Sequence, residues 1–135
     1  MYTPQSWSEL KTILQERRMK QGVGSEQNPI NLNDIDVSNV TNMSMLFTGR
    51  TQFAYIDISE WNMSNVTVAH KMFAGCKLLM SIGDISNWNI DNITIMKDMF
   101  KSCNVDIIPD WYDITTHDRK ILNDNSMMIE DVTLY

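Results

Sequence analysis

The chain is poor in the residue types from which most catalytic and metal sites are built. Its 135 residues include two cysteines, two histidines and five glycines. Cys76 and Cys103 form no metal or redox motif, and neither histidine has a partner at zinc-ligand spacing. The sequence also contains no recognisable phosphate-binding loop and no nucleophile–base pair. We therefore predict no enzymatic activity, no catalytic residues, no metal and no cofactor.

Long apolar runs and clustered positive charge are also missing. No stretch approaches the ~18 apolar residues that span a membrane, and the start, MYTPQSWSELKTIL, does not resemble a secretory signal. We expect no membrane span and, for the chain as written, a cytoplasmic location. The net charge of −6 argues against direct binding of nucleic acid, which needs clustered lysine and arginine. It leaves a basic protein partner open.

What the chain does contain is a repeat. The stretches SNVTNMSMLF, SNVTVAHKMF and DNITIMKDMF begin at Ser38, Ser64 and Asp91. Several positions recur at intervals of 26 and 27 residues, namely Phe47, Phe73 and Phe100; Asn39, Asn65 and Asn92; and Thr41, Thr67 and Thr94. Trp61 and Trp88 keep the same interval, as do the two cysteines. So many positions in step indicate an internal repeat rather than chance.

Each repeat unit combines two local patterns. Residues 55–61, YIDISEW, alternate apolar and polar side chains, which predicts a short strand. In the other half of the unit the apolar positions have the spacing of a short α- or 3₁₀ helix, as at Val40, Met43, Leu46 and Phe47. Such a unit cannot bury an apolar face alone, but adjacent copies can cover each other. The predicted fold is therefore an α/β repeat solenoid, a stack of short parallel strands and short helices.

The two ends of the repeat have different predicted structures. Ser6 or Ser8 is a candidate helix N-cap, and Gly22 and Gly24 are suited to end that helix. Residues 106–111, DIIPDW, resemble a fourth strand. The predicted divisions are an N-terminal capping helix in residues 1–25, the repeat solenoid with about three units and a terminal strand in 26–111, and an acidic C-terminal cap or tail in 112–135.

The repeat resembles a known family. DISEWNMSNVTVAHKMFAGC and DISNWNIDNITIMKDMFKSC are similar to the 26-residue surface-protein repeat of bacteria and mycoplasmas, which is related to BspA-like leucine-rich repeats. The matching positions are Asp57, Ser59, Trp61, Met72, Phe73 and Cys76 in one unit and Asp84, Ser86, Trp88, Met99, Phe100 and Cys103 in the next. The resemblance covers roughly residues 30–111. It implies a leucine-rich-repeat-like solenoid used for adhesion or protein–protein contact, and it would otherwise suggest a cell-surface location.

Several repeat positions have both a functional and a structural interpretation. Trp61 and Trp88 are either packed core residues that donate the indole N–H or platforms for a base or sugar. Asp57 and Asp84 are outward positions of successive strands or a carboxylate pair. The two cysteines are stacked core thiols or a disulfide, and the three Asn-x-Thr triplets are turns or glycosylation sites. The structural interpretation is preferred in each case.

The predicted function is a non-enzymatic protein–protein interaction module of the surface-repeat type. Outward strand positions would line one polar, acidic face, and the predicted partner-binding residues are Asn31, Asn33, Tyr55, Asp57, Ser59, Asp84 and Ser86. Tyr55 is the expected anchor. Arg17, Arg18 and Lys20 on the first helix form a second candidate contact. The protein partner is unidentified, and the oligomeric state stays open.

A second hypothesis places the chain in another class. It would be a small acidic intracellular inhibitor or effector, encoded by a phage or mobile element, that blocks a host protein. Its acidic surface would occupy a basic groove meant for nucleic acid, so the complex would weaken as salt is added.

Overall fold

The structure, a computed structural model, describes residues 1–112. Its elements are helix α1 (Trp7–Gln21), strand β1 (Ile30–Asn31), a 3₁₀ helix (Gly49–Thr51) and strand β2 (Ile56–Asp57). The two strands pair in parallel, with Ile30 opposite Ile56 and Asn31 opposite Asp57. The predicted domain divisions stay predictions, and the segment proposed as an acidic tail lies outside the described residues from position 113 onward.

Helix α1 forms where the sequence predicts it. The Ser6 hydroxyl accepts a hydrogen bond from the backbone N–H of Glu9 at 3.2 Å, which satisfies one of the free donors of the first turn. Gly22 ends the helix with φ 79°, a conformation that glycine adopts without a Cβ penalty. Leu10 and Leu14 are fully buried on its inner side. The predicted helix is confirmed, and of the candidate ends given by the sequence the structure uses Ser6 as N-cap and Gly22 as C-cap.

Polar side chains on helix α1 fix it to the rest of the molecule. The Trp7 indole N–H donates to the Ser44 carbonyl at 2.7 Å. The Lys11 ammonium donates to the carbonyls of Leu46 and Thr48, both at 2.8 Å. These bonds satisfy carbonyl groups of a non-helical segment, so the helix contributes hydrogen bonds as well as apolar area.

The predicted fold class is wrong. The described residues contain one α-helix of 15 residues and one parallel sheet of two strands, each two residues long. An α/β repeat solenoid of short strands and short helices, leucine-rich-repeat-like in form, requires a helix and a strand in each unit. In residues 26–112 the structure has turns at the positions where the unit helices were expected.

Backbone geometry explains why the unit helices do not form. Met45, Lys71 and Asp98 occupy the same position in three successive units, and their φ angles are 54°, 55° and 58°. This left-handed conformation interrupts an α-helix. The N–H groups of Met43 and Phe47 donate to the carbonyls of the next unit instead of to carbonyls four residues back. The apolar spacing therefore comes from a turn that returns to the core, and not from a helix.

Side-chain hydrogen bonds explain why the strands are so short. The Oδ1 atom of Asn31 accepts the N–H of Asn33 at 2.8 Å, and Oδ1 of Asp57 accepts the N–H of Ser59 at 2.9 Å. Each bond is an Asx turn, which bends the backbone directly after the strand. Elsewhere the pairing of neighbouring segments is reduced to isolated parallel bridges, such as Tyr55 with Ser81.

The core brings repeat-related aromatic side chains into contact. The Phe73 ring lies 5.2 Å from the Phe47 ring and 5.2 Å from the Phe100 ring, at 9° in both cases. We call these three residues the phenylalanine row. The Trp61 and Trp88 indoles are buried and donate to the Leu32 and Ile58 carbonyls at 2.9 and 3.1 Å. The interpretation of both tryptophans as core residues with an acceptor for the indole N–H is confirmed.

In the described part of the chain, no helix combines the length and the apolar character that crossing a membrane requires.

Candidate functional site

Two adjoining clefts contain most of the predicted partner-binding residues. The first, which we call the Tyr55 cleft, has a volume of about 390 Å³ and is lined by Glu26, Pro29, Tyr55, Ile56, Asp57, Met80, Ser81, Gly83 and Asp106. The second, which we call the 81–110 cleft, has a volume of about 510 Å³ and is lined by residues 81–86 and 106–110. The two clefts share Ser81, Gly83 and Asp106, so they form one continuous surface. We call this surface the acidic face.

Backbone pairing of the early strands builds the Tyr55 cleft. The Tyr55 carbonyl accepts the N–H of Ile30 at 3.0 Å, and the Ser81 carbonyl accepts the N–H of Ile56 at 3.0 Å. The Asp106 N–H donates to the Met80 carbonyl at 2.9 Å, which brings a fourth segment beside the other three. Tyr55 is half-buried and lines the cleft, and its backbone is held in place by the bond to Ile30.

The acidic face carries charge of one sign. Its lining includes the carboxylates of Glu26, Asp57, Asp84, Asp106 and Asp110, and no lysine, arginine or histidine lines either cleft. Low-dielectric walls and charge of one sign raise the local concentration of oppositely charged groups. The face therefore suits a cationic partner.

These carboxylates are spread out rather than gathered around one point. Among residues 1–112, no three His, Cys, Asp or Glu side chains are grouped closely enough to hold a metal ion. The arrangement matches an extended cationic segment better than a single small cation. The predictions of no metal and no cofactor stay predictions.

The structure gives several of the predicted residues a structural role. The Oδ1 atom of Asp84 accepts both the N–H and the hydroxyl of Ser86, at 3.0 and 2.6 Å. The Asn33 Oδ1 atom accepts the N–H of Glu60 at 2.9 Å. Asn31 and Ser59 take part in the Asx turns described above, and Asn31, Asn33 and Ser59 line neither cleft. Partner binding by the seven predicted residues stays a prediction, with Tyr55, Asp57, Asp84 and Ser86 placed on the acidic face.

Hydrogen bonds in these turns lower the pKa of three carboxyl groups. Side-chain and backbone bonds from Ser38 lower the pKa of Asp36, and the same bonds from Ser86 lower the pKa of Asp84. Partial burial alone would raise the pKa of Asp57, but bonds from Ser59 and from the Asn33 side chain outweigh it, and that pKa is also lowered.

Replacing these three aspartates by asparagine should make the protein less sensitive to acid. A carboxyl whose pKa is lowered by folding contributes stability above its unfolded pKa of about 3.9, and this contribution is lost as the pH falls through the folded value. Asparagine accepts the same Oδ1 bond, as it does at Asn42 and Asn62. We expect the thermal midpoint of the Asp36→Asn/Asp57→Asn/Asp84→Asn variant to fall less between pH 7 and pH 3 than that of the wild type, as measured by circular dichroism.

The matched control for this acid test is Asp91→Asn with Glu16→Gln, which removes two exposed carboxylates. The control should keep the acid sensitivity of the wild type. Equal losses in the triple variant and the wild type would show that the Asx bonds do not couple to folding.

The second candidate contact, on helix α1, is corrected by the structure. The Arg17 guanidinium is buried and donates to both carboxylate oxygens of Asp34, at 2.9 and 3.0 Å, and to the Asn31 carbonyl at 3.0 Å. Arg18 donates through Nε to the Gln52 carbonyl at 2.7 Å. Both side chains therefore join the helix to the body of the protein, and only Lys20 of the three is exposed. Spacing along the helix did not reveal this, because Asp34 is distant in sequence.

The cysteines and two of the three Asn-x-Thr asparagines follow the structural interpretation. Both cysteines are free thiols, and the Cys76 sulfur lies 3.0 Å from the Phe47 carbonyl. Burial, and then the nearby Cys103, raise the pKa of Cys76 to about 12, so its thiol stays protonated and unreactive at neutral pH. The side-chain amides of Asn65 and Asn92 donate to the Ser38 and Ser64 carbonyls at 2.7 and 2.6 Å. These asparagines join neighbouring units.

Sequence reasoning missed the second wall of the 81–110 cleft. Asp106, Ile107, Ile108 and Asp110 were assigned to a terminal strand on the basis of the motif DIIPDW. They instead lie across the cleft from residues 81–86, with Ile107 72% exposed and Ile108 44% exposed. This exposure is visible only in the structure, and the motif DIIPDW contains no signal for it.

Comparison with known proteins gives one match. A family model described as "Mycoplasma protein of unknown function, DUF285" matches residues 16–133. No curated protein matches the chain, and no solved structure matches it. The match covers most of the chain, including every residue that lines the acidic face.

Proposed function

The chain belongs to the Mycoplasma DUF285 family, and from this premise we propose that it is a non-enzymatic protein–protein interaction module of the BspA-like surface-repeat type, which binds its partner through the acidic face. The observation that carries the proposal is the character of that face. Five carboxylates line two continuous clefts that contain no basic side chain. Complementary charge steers association and selects the partner.

The apolar residues of the same face supply the remaining binding energy. Met80 is 41% exposed and lines the Tyr55 cleft, and the two isoleucines of the 81–110 cleft are also exposed. Aromatic and aliphatic side chains beside polar groups are typical of binding hot spots. Tyr55 remains the expected anchor because it lines the cleft and its backbone is fixed by the bond to Ile30.

The test is capture of a direct partner followed by measurement of the purified pair. The full chain, biotinylated at one end, is used to recover proteins from soluble and membrane fractions of the source cells, and recovered proteins are identified by mass spectrometry. Each candidate is then purified and its affinity is measured by calorimetry. We expect a one-to-one complex that Tyr55→Ala weakens by about tenfold or more and that added salt weakens.

The matched control is Met19→Ala, which truncates a side chain that is 85% exposed on helix α1, away from the acidic face. It should leave the affinity unchanged, and thermal melts of both variants confirm that they are folded. Failure to recover any direct partner from either fraction overturns the proposed function. A partner that Tyr55→Ala and Met19→Ala affect equally overturns the assignment of binding to the acidic face.

A further inference from the structure

Pairing between the second and third backbone segments of the acidic face is closed. The N–H groups of Ile56 and Ile58 donate to the Ser81 and Ile82 carbonyls at 3.0 and 3.1 Å. These two bonds join the segments directly along this stretch. The backbone pairing of these two segments can be compared with that of the next two, residues 81–86 and 106–110.

The next pair of segments is open in its middle. Residues 81–86 and 106–110 are joined at one end by the Asp106 N–H to the Met80 carbonyl, and at the other by the Trp111 indole to the Ile85 carbonyl, both at 2.9 Å. Between these two bonds lies the 81–110 cleft of about 510 Å³. Within residues 1–112, the N–H of Ile85, which is the repeat equivalent of Ile58, has no hydrogen-bond acceptor.

We propose that the 81–110 cleft takes an extended, lysine- or arginine-bearing segment of a partner protein, which pairs with the open backbone as an added strand. The proposal rests on the proposed function and names the part of the acidic face and the chemistry of the partner. An extended segment supplies a carbonyl acceptor to the Ile85 N–H and places alternate side chains on the two walls.

The carboxylates that line the 81–110 cleft favour a segment that carries positive charge. Asp84, Asp106 and Asp110 line it, and all three are exposed. Within residues 1–112, neither the Asp106 nor the Asp110 side chain accepts a hydrogen bond. Asp84 uses Oδ1 for its turn with Ser86, which leaves Oδ2. A segment with a cation at every second residue meets these groups in succession.

The size and the walls of the cleft fit such a segment. Its volume lies within the ~300–1,000 Å³ typical of binding pockets. A strand rises about 3.3 Å per residue, so the stretch of residues 81–85 accommodates roughly four to five residues of a partner. Ile107 and Ile108 offer apolar contact to the stems of lysine or arginine, which pack on apolar surface while the charged end stays near a carboxylate.

The proposal is tested with short fluorescein-labelled peptides and the full chain, by fluorescence anisotropy. The first peptide alternates lysine and threonine, the second replaces lysine by glutamate, and the third keeps lysine but carries N-methyl groups on alternate backbone nitrogens, bulk that a paired strand excludes. We expect the first peptide to bind about tenfold or more tightly than either of the others. Equal binding of the glutamate peptide overturns recognition of the cation, and equal binding of the methylated peptide overturns strand pairing.

A pair of charge-matched variants locates the binding. Asp106→Asn/Asp110→Asn and Glu16→Gln/Asp91→Asn each change the net charge from −6 to −4. Only the first pair lines the cleft. We expect the first to weaken lysine-peptide binding by about tenfold and the second by less than about twofold. Equal weakening by both overturns the site, because it would show that only net charge matters.

Failure of the cleft assignment and failure of the proposed function would give different results. If a captured partner binds Asp106→Asn/Asp110→Asn as tightly as the wild type, the 81–110 cleft is not the site, while the interaction function stands. If capture yields no partner but the peptides bind selectively through the cleft, the cleft assignment stands and the surface-repeat interpretation fails.

Discussion

Replacing Phe73 by alanine is expected to destabilise the protein by about 3–5 kcal/mol. The ring is fully buried and is the middle member of the phenylalanine row, so its removal opens a cavity with an aromatic ring on both sides. The side chains of Phe47 and Phe100 cannot both move to fill it, because each is held against other aromatic neighbours. Since native domains have only about 5–15 kcal/mol of stability, this loss is large. Urea unfolding followed by tryptophan fluorescence measures it.

Two further variants separate cavity formation from ring contact. Phe73→Leu keeps most of the volume and should cost about 1–2 kcal/mol. Phe100→Ala removes the end member, which is 8% exposed and has one ring of the row beside it, so it should cost less than Phe73→Ala. If the free energy of unfolding of Phe73→Ala lies within about 1 kcal/mol of the wild-type value, the phenylalanine row does not stabilise the core as we expect.

Replacing Gly24 by alanine should destabilise the protein by about 2–4 kcal/mol. A Cβ atom on Gly24 would overlap the Tyr55 carbonyl oxygen, which is backbone and cannot rotate away. That oxygen accepts the N–H of Ile30, a hydrogen bond that joins β1 to β2. The alanine therefore strains its own backbone, which has φ 81°, and also displaces the strand pairing beneath the Tyr55 cleft.

Gly22→Ala is the matched control for this substitution. Gly22 has φ 79°, and a Cβ atom there meets nothing within 4 Å. With φ 79° and ψ −148°, a region that essentially only glycine adopts, it should cost about 1–3 kcal/mol, the conformational penalty alone. Comparison of the two unfolding curves isolates the steric effect. If Gly24→Ala costs no more than Gly22→Ala, the close approach of residue 24 to Tyr55 is not maintained in solution.

Gly24→Ala should affect binding at the Tyr55 cleft as well as the stability of the fold. Because the affected carbonyl belongs to Tyr55, the variant should weaken binding at the Tyr55 cleft at temperatures where it is still folded. The 81–110 cleft is built from residues 81–86 and 106–110, so its affinity for the lysine peptide should change less.

The wrong fold class has an identifiable physical cause. The apolar spacing at Met43, Leu46 and Phe47 is the same for a short helix and for a turn that returns twice to the core. The left-handed φ at Met45 decides between them, and a methionine gives no signal for it, whereas a glycine would. Periodicity alone therefore predicted helices that the backbone does not form.

The candidate site was predicted only in part, for a related reason. Tyr55, Asp57, Asp84 and Ser86 lie on the acidic face because they alternate with buried residues along the chain. Asn31 and Asn33 are also polar positions beside short strands, but their side chains accept the N–H groups of Asn33 and Glu60 and line neither cleft. Hydrogen bonds of this kind depend on which segment is adjacent, and a single-sequence pattern does not contain that information.

The sequence by itself determined the contacts that the repeat interval enforces. A phenylalanine every 26 or 27 residues, a tryptophan that needs an acceptor and a serine-capped helix each require their neighbours whatever the detailed backbone path. Only the tertiary structure decided that the repeat units form turns instead of short helices. It also decided that Arg17 is buried and paired with Asp34, and that a cleft lies between residues 81–86 and 106–110. The physical reason is that these features depend on where backbone donors of one segment meet acceptors of another, a long-range match that local residue types leave undetermined.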